Sequence, residues 1–216
     1  GDTVIATLTA GISQGYDIKQ AMHLSNMAAA CVIKKLGAGT VTPKELQAQL
    51  NYNTPIKMGI LNRDDLKTAV QTAQSIGKKV VFTNGCFDLL HGGHINYLTK
   101  AKQQGDLLIV AVNDDKSIRK LKGADRPIST LDSRLTILDA LSCVDWVTGF
   151  HEDTPKNLLK LLKPDVLVKG TDYKIHEIVG HEIVQAYGGE IKRINNPNGK
   201  DYSTSEYVKK IKKINL

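Results

Sequence analysis

The sequence predicts an α/β fold, a doubly wound and mostly parallel sheet, preceded by a small all-helical segment. Three observations predict it. From Asn62 onward, short apolar runs alternate with helical patterns, as strand–helix–strand units require. Asn84, His91, Asn113, Lys169 and Gly170 all follow the ends of those runs. A parallel sheet carries its ligands there, outside the carboxyl ends of its strands at a switch point. Residues 1–51, by contrast, show helical periodicity and capping signals with no strand pattern.

Taken in order, residues 3–14 read as a helix. Asp17 caps a second helix running to about Leu36, with Met22, Met27, Ala28 and Val32 on an apolar face. Thr42-Pro43-Lys44-Glu45 is a capping box with proline in the first turn, so a third helix runs to about Asn51. Residues 52–61 carry Asn, Thr, Pro and Gly and read as a linker. Residues 62–216 form the second domain. Helix Asp64–Ile76 leads to strand Lys79–Thr83, helix Gly93–Gln104, strand Leu107–Asn113 and a short helix near Asp115–Lys120. A loop at Gly123–Thr130 leads to helix Leu131–Leu141, strand Val144–Thr148, helix Pro155–Leu162, strand Asp165–Val168 and helix Ile175–Tyr187. Strand Glu190–Asn195 and helix Ser205–Ile214 complete the pattern.

Composition narrows the function classes. A chain of 216 residues holds one or two domains. No apolar run approaches the roughly 18 residues of a membrane span, and no signal peptide opens the chain. Three widely spaced cysteines fit reduced thiols in a cytoplasm. The net charge of +7 suits an anionic partner. Much of it lies in the tail, at Lys209, Lys210, Lys212 and Lys213, which reads as a solvated helix face. No aromatic platform accompanies it, so nucleic acid is not the expected partner. Neither is a membrane, and a homo-oligomer is expected.

The chemistry concentrates in Val80–His94, Val-Val-Phe-Thr-Asn-Gly-Cys-Phe-Asp-Leu-Leu-His-Gly-Gly-His. A strand breaks at Asn84-Gly85, and a helix begins near Gly93. Free backbone N–H groups and the positive end of the helix dipole converge there, a geometry that binds phosphate. His91 and His94, three apart at the helix start, can donate hydrogen bonds to phosphate oxygens. Gly85 allows close approach of a phosphate to the backbone. Asp88 is expected to order the Asn84–Asp88 loop or to orient His91. A zinc site built on the two histidines and Cys86 is the competing reading, but Cys31 and Cys143 sit in apolar runs and no fourth ligand is evident. No metal site is expected in the protein itself.

The segment resembles the His-x-Gly-His signature of the nucleotidyltransferase superfamily, matched here by His91-Gly92-Gly93-His94 with Asn84-Gly85-Cys86-Phe87-Asp88 upstream. The resemblance implies a Rossmann-like nucleotidyltransferase domain. It implies roles for His91 and His94 at the transition state and for Lys120 and Lys122 of the basic run Ser117–Gly123 against a triphosphate. Arg119 reads as a partner for Asp115 one turn away. Arg134 resembles a family arginine in the following helix. Asn113 lies at a strand end in the same cleft. Lys169-Gly170-Thr171-Asp172-Tyr173 resembles the Val-Lys-Gly-Gly-Asp-Tyr run of bacterial heptose-1-phosphate adenylyltransferases, with Thr171 in place of a glycine. A β-branched residue resists φ > 0, which bears on that loop's conformation. Tyr202-Ser203-Thr204-Ser205 resembles the Ser-Thr-Thr motifs of the superfamily, and places Ser203 and Thr204 at a helix start, where hydroxyls cap and phosphates bind.

The opening residues carry a second resemblance. Gly1-Asp2-Thr3, Asn26-Met-Ala-Ala-Ala and Lys35-Leu-Gly-Ala-Gly-Thr-Val-Thr-Pro43 look like the end of a ribokinase-type sugar kinase, with Asp2 in the place of that family's aspartate base. The first two motif residues and the sugar-binding strands are absent, so residues 1–51 are expected to be a helical remnant without kinase activity. Paired with the second domain, they resemble the bifunctional kinase–adenylyltransferase of ADP-heptose synthesis. The resemblance implies adenylyl transfer from ATP to a sugar 1-phosphate, with Mg²⁺ carried in by the ATP. A cytidylyltransferase acting on glycerol phosphate or a similar alcohol phosphate is the alternative, and a non-catalytic nucleotide-binding module a further one.

Overall fold

The computed structural model describes residues 1–37, 39–52, 55–195 and 207. Apart from Tyr207, the expected helix over 205–214 lies outside the described residues, as do the tail lysines, Ser203 and Thr204. The chain divides into two compact units, residues 1–56 with 75–77, and residues 57–74 with 78–216.

The first unit is built from α1 (Asp2–Ser13), α2 (Ile18–Ile33) and α3 (Pro43–Tyr52). Asp17 caps α2 reciprocally: its Oδ1 accepts the Gln20 N–H at 2.9 Å, and Gln20 Oε1 accepts the Asp17 N–H at 3.1 Å. Thr42 and Glu45 form the second capping box, at 3.2 and 2.8 Å. The inward row of α2 differs from expectation. Met22 is exposed, and the buried residues are Ala21, Ser25 and Ala28. The close approach of α1 explains this. A Cβ added at Gly11 would stand 3.1 Å from the Ala21 Cβ, so small side chains must face it.

The second unit runs β1 (Gly59–Ile60), α4 (Arg63–Ser75), β2 (Val80–Gly85), α5 (Gly92–Lys102), β3 (Leu107–Asn113), α6 (Asp115–Lys122), α7 (Leu131–Asp139), β4 (Trp146–Phe150), α8 (Lys156–Leu162), β5 (Val166–Gly170), α9 (His181–Ala186) and β6 (Glu190–Ile194). The six strands among the described residues form one sheet in the order β1-β4-β3-β2-β5-β6, and every pairing is parallel. From β2 the chain winds outward through β3 and β4, then returns to β5 on the other side of β2. Right-handed crossovers then put the connecting helices on opposite faces. The switch point therefore lies between β2 and β5. β3 is buried along its whole length, as its unbroken apolar run requires. Its Leu108, Val110 and Val112 pack with Val81, Leu98, Leu138, Val147 and Val168.

Three carboxylates secure the amino ends of the central strands. Asp106 accepts the Lys79 N–H, Asp165 the Val80 N–H and Asp145 the Leu108 N–H, each at 2.7 Å. Negative charge is thus spent at the edge opposite the carboxyl ends, where an anion would bind.

Three expectations are corrected. The stretch read as a linker contains β1, a two-residue edge strand paired with β4. β4 starts two residues later than expected, because Val144 closes a turn on the Leu141 carbonyl at 2.9 Å. The helix expected over Ile175–Tyr187 is broken into a single 3₁₀ turn at Ile175–Glu177 and α9. Gly180 lies between them at φ +90°, which no helix interior accommodates.

Candidate active site

The carboxyl end of β2 delivers Asn84 and Gly85 to the switch point, and the chain then turns through Cys86–Leu90 into α5. Phe87 occupies φ +48° although it is not glycine, and it is 7 % exposed. Packing holds it there, since a left-handed bulky residue is otherwise disfavoured. Gly85 makes room for it: an added Cβ would meet the Phe87 ring at 3.0 Å. The Phe87 ring in turn sets its edge against His94, with centroids 5.4 Å apart and planes at 61°.

His91 is the N-cap of α5 and its carbonyl accepts the His94 N–H at 2.9 Å. The two imidazoles stack with centroids 3.8 Å apart and planes 27° from parallel. Tyr207, which sequence reasoning did not single out, lies 5.9 Å from His91 at 14°. Burial draws the His94 imidazole down to about 4, helped by the charges of His91 and Lys122. Burial lowers His91 as well. Both rings are therefore neutral near pH 7 and each carries one N–H donor. The buried Nδ1 of His94 and the buried Oδ1 of Asn84 have no hydrogen-bond partner among the described residues. Buried polar atoms are ordinarily paired, which sets these two apart.

Two further residues brace this end of the sheet. Arg134 is 1 % exposed. Its guanidinium donates to the carbonyls of Ser129 (3.1 Å), Cys86 (2.6 Å) and Asn113 (2.8 Å), and pairs with Asp115 at 2.7 Å. It ties together the segments after β2 and β3 and the 123–130 loop instead of facing open solvent. Asp115 is thereby taken by Arg134 and not by Arg119. Asp88 accepts the N–H groups of Ile128 (2.7 Å) and Ser129 (3.0 Å) and pairs with Arg126. It ties its own loop to the 123–130 loop. Asn113 is buried, and its amide donates to Ser117 Oγ at 3.0 Å.

The two lysines of α6 part company. The Lys122 charge acts on His94, whereas Lys120 Nζ pairs with exposed Asp153 at 2.9 Å. Across the switch point, Lys169 Nζ donates to the Asn84 carbonyl at 2.7 Å. Burial brings its ammonium down to about 8, against the opposing influence of Cys86 and Asp172. Tyr97 of α5, also unforeseen, shares a hydrogen bond of 2.8 Å with Thr83 Oγ1 and donates to the Val168 carbonyl at 3.1 Å. Burial raises its phenol well above the ordinary value. In the loop after β5, Thr171 does not enter the left-handed region. Its N–H bonds the Ile194 carbonyl at 3.1 Å, so the β-branched side chain is no obstacle. Gly170 leaves space that the Asp172 carboxylate fills: an added Cβ would stand 2.1 Å from Asp172 Oδ1. Asp172 and Tyr173 are exposed. Asp2 is exposed in the first turn of α1, in the first unit.

A parallel sheet with imidazoles and a helix start beyond its switch point defines a nucleotide-binding α/β protein of the transferase type. The chain belongs to the cytidylyltransferase-like family, whose profile matches residues 82–210. It is 48 % identical over 212 residues to the bifunctional protein HldE of Ectopseudomonas mendocina, covering 98 % of this chain and 44 % of that protein. It is 49 % identical over 211 residues to HldE of Actinobacillus pleuropneumoniae serotype 5b, again covering 98 % and 44 %. The chain thus spans under half the length of these curated relatives. Among solved structures, the lipopolysaccharide core biosynthesis protein from Thermoplasma volcanium is 32 % identical, with a TM-score of 0.48 over 56 % of this chain and 97 % of that one.

Proposed function

We propose that this chain transfers the adenylyl group of ATP to D-glycero-β-D-manno-heptose 1-phosphate, giving ADP-heptose and pyrophosphate. The observation that carries the reading is the His91–His94 stack at the start of α5, beside the switch point between β2 and β5. Family membership and the likeness of nearly the whole chain to HldE proteins support it. The run Lys169–Tyr173 supports heptose and ATP over other pairs.

The reaction suits such a site. An oxygen of the sugar phosphate forms a bond to the α-phosphorus, and the bond to the oxygen bridging the α- and β-phosphates breaks. Pyrophosphate leaves with that electron pair. The nucleophile is already an anion, so no strong base and no covalent enzyme intermediate are needed. The barrier is charge crowding, which positioning and hydrogen-bond donors relieve. His91 and His94 donate to the α-phosphate, and Lys122 meets the β- and γ-phosphates, with Lys120 free to join on leaving Asp153. The loop Asn84–Asp88 and the strand-end Asn113 shape the phosphate subsite, and Gly170, Asp172 and Tyr173 face the base or ribose. Ser203 and Thr204 are assigned to the phosphates by their sequence motif.

Mg²⁺ would accompany ATP, held through the phosphates. Among the described residues no group of three or more His, Cys, Asp or Glu side chains could hold a metal. The imidazoles and ammonium groups near this loop fit the triphosphate, and its one carboxylate, Asp88, is taken by Arg126 and the N–H groups of Ile128 and Ser129, so the loop offers the ion no cage. Three free thiols, Cys31, Cys86 and Cys143, suit a reducing cytoplasm. None of the described helices is long and apolar enough to cross a membrane.

The family's own description favours a second reading, cytidylyl transfer to glycerol phosphate or a similar alcohol phosphate. Pyrophosphate release with ATP or CTP across a panel of sugar and alcohol phosphates separates the two. ATP with heptose 1-phosphate should show much the larger kcat/KM, because a site built to bond one base leaves buried groups unpaired with another. Comparable values for the two nucleotides, or preference for CTP with glycerol phosphate, would transfer the assignment to the second reading.

A further inference from the structure

Lys169 occupies an unusual place for a lysine. It stands at the carboxyl end of β5, against the carboxyl end of β2, on the two sides of the switch point. Its ammonium is not in open solvent. It donates to the Asn84 carbonyl at 2.7 Å, at the point where β2 gives way to the Asn84–Asp88 loop. The Asn84 side chain beside it holds a buried Oδ1 with no hydrogen-bond partner among the described residues. The main-chain carbonyl of Asn84 is thus held by Lys169, and the buried side-chain oxygen of the same residue stands at the same junction.

We propose that Lys169 is a proton-linked positioning residue: its ammonium ties the β2 end to the β5 end through the Asn84 carbonyl, and a nucleoside triphosphate binds at the adjoining loop with uptake of a proton at Lys169 Nζ. This deepens the nucleotidyl-transfer reading and rests on it.

The surroundings explain the linkage. Burial disfavours the charged ammonium and lowers it to about 8. The groups facing it are Cys86 from the loop after β2 and Asp172 from the loop after β5, both of which favour the charge. From α5, Tyr97 donates to the carbonyl of Val168, the preceding residue. From β6, Arg193 lies in register beside Lys169 and donates to the Tyr173 carbonyl at 3.2 Å. None of these neutralises the ammonium by a direct ion pair among the described residues. A triphosphate brings several negative charges to the same mouth, and a nearby anion raises the affinity of an amine for its proton. Above pH 8 the free protein holds Lys169 mostly neutral, and the bound protein holds it charged. The difference is a proton drawn from solvent.

Isothermal titration calorimetry with MgATP and with MgCTP, in buffers of different ionisation enthalpy, reads that proton directly. At pH 8.5 a group titrating at about 8 is about three-quarters deprotonated, so the wild type should take up as much as ~0.75 proton per nucleotide. The uptake should fall toward pH 7, where Lys169 is already charged. His91 and His94 do not supply it at pH 8.5, because both are held below the ordinary histidine value. Lys169→Arg stays charged throughout and should bind with no uptake. Lys169→Met should also show none and should bind more weakly. An uptake that is absent in the wild type, that does not grow from pH 7 to 8.5, or that persists in whichever variant folds overturns the proposal. Binding and turnover of CTP in place of ATP would overturn the adenylyl assignment alone, since proton uptake is then read with CTP. Binding of neither nucleotide overturns both.

Discussion

At the imidazole of His94 the proposed chemistry and the stability of the fold meet. It is clasped between the edge of Phe87 and the face of His91, and this fixes its ring before any ligand arrives. A donor so positioned needs no reorganisation when charge develops on a phosphate oxygen. His94→Ala should therefore lower kcat by on the order of 10²–10³, as loss of one transition-state donor does. Pyrophosphate release measured beside far-UV circular dichroism checks it, and a folded variant with near-normal turnover would remove His94 from the mechanism. The same burial has a thermodynamic signature. His94 titrates at about 4 in the folded chain against 6.5 unfolded, so the unfolded state binds more protons between those values. Its contribution is intact above pH 6.5 and is lost as pH falls through about 4. The carboxylates of Glu152 and Glu190, drawn down to about 2 chiefly by hydrogen bonds from Arg63 and from Lys79, act in the same direction but mainly below pH 4.5. Urea midpoints should therefore rise between pH 4.5 and 6.5, and this rise should shrink in His94→Asn. An unchanged rise in that variant would place the titrating group elsewhere.

At the scale of elements, Gly180 decides where α9 begins. It sits at φ +90°, and a Cβ there would stand 2.2 Å from Leu159 Cδ1 of α8. Gly180→Ala combines a left-handed backbone with a clash against a buried leucine, so it should destabilise the protein by about 2 kcal/mol or more. Thermal unfolding followed by circular dichroism measures the effect, and an unchanged melting temperature would mean that α8 and α9 repack freely. The broken helix also shows what can be read from sequence. Apolar spacing over Ile175–Tyr187 is compatible with one helix, and a single glycine inside such a pattern is usually tolerated. That this one takes a positive φ depends on α8, a tertiary contact with no local signal. β3 was legible to the residue because six apolar positions in a row, Leu107–Val112, closed by Asn113, admit one reading once short helices are excluded by length. β1 was not, because two residues among Pro and Gly show no period. His91 and His94 were legible because their spacing and the preceding strand are local. The bracing roles of Arg134 and Asp88 were not, since each acts on segments up to 48 residues away in sequence.

For the whole molecule, alternation of strands and helices foretold the parallel sheet, while the strand order had to come from the structure. That order places β2 at the centre, with the proposed phosphate site at its carboxyl end. Among its described residues the first unit has no strand end leading into a helix start. Its described elements are three helices and no strand, and Asp2, in the place of a sugar kinase's base, is exposed in the first turn of α1. A base needs a substrate held within hydrogen-bond reach, and a wall that excludes water. The described residues of this unit supply three helices and no strand to form such a wall. We therefore expect this chain to form no ADP from ATP and heptose 7-phosphate above the rate without protein, while pyrophosphate release with heptose 1-phosphate proceeds. Asp2→Asn should leave that release unchanged, because nothing in the proposed transfer uses Asp2. A coupled assay for ADP on the same preparation decides the matter. ADP formation that requires Asp2 would show that the helical unit retains a phosphoryl-transfer site, and would make the chain active at both steps.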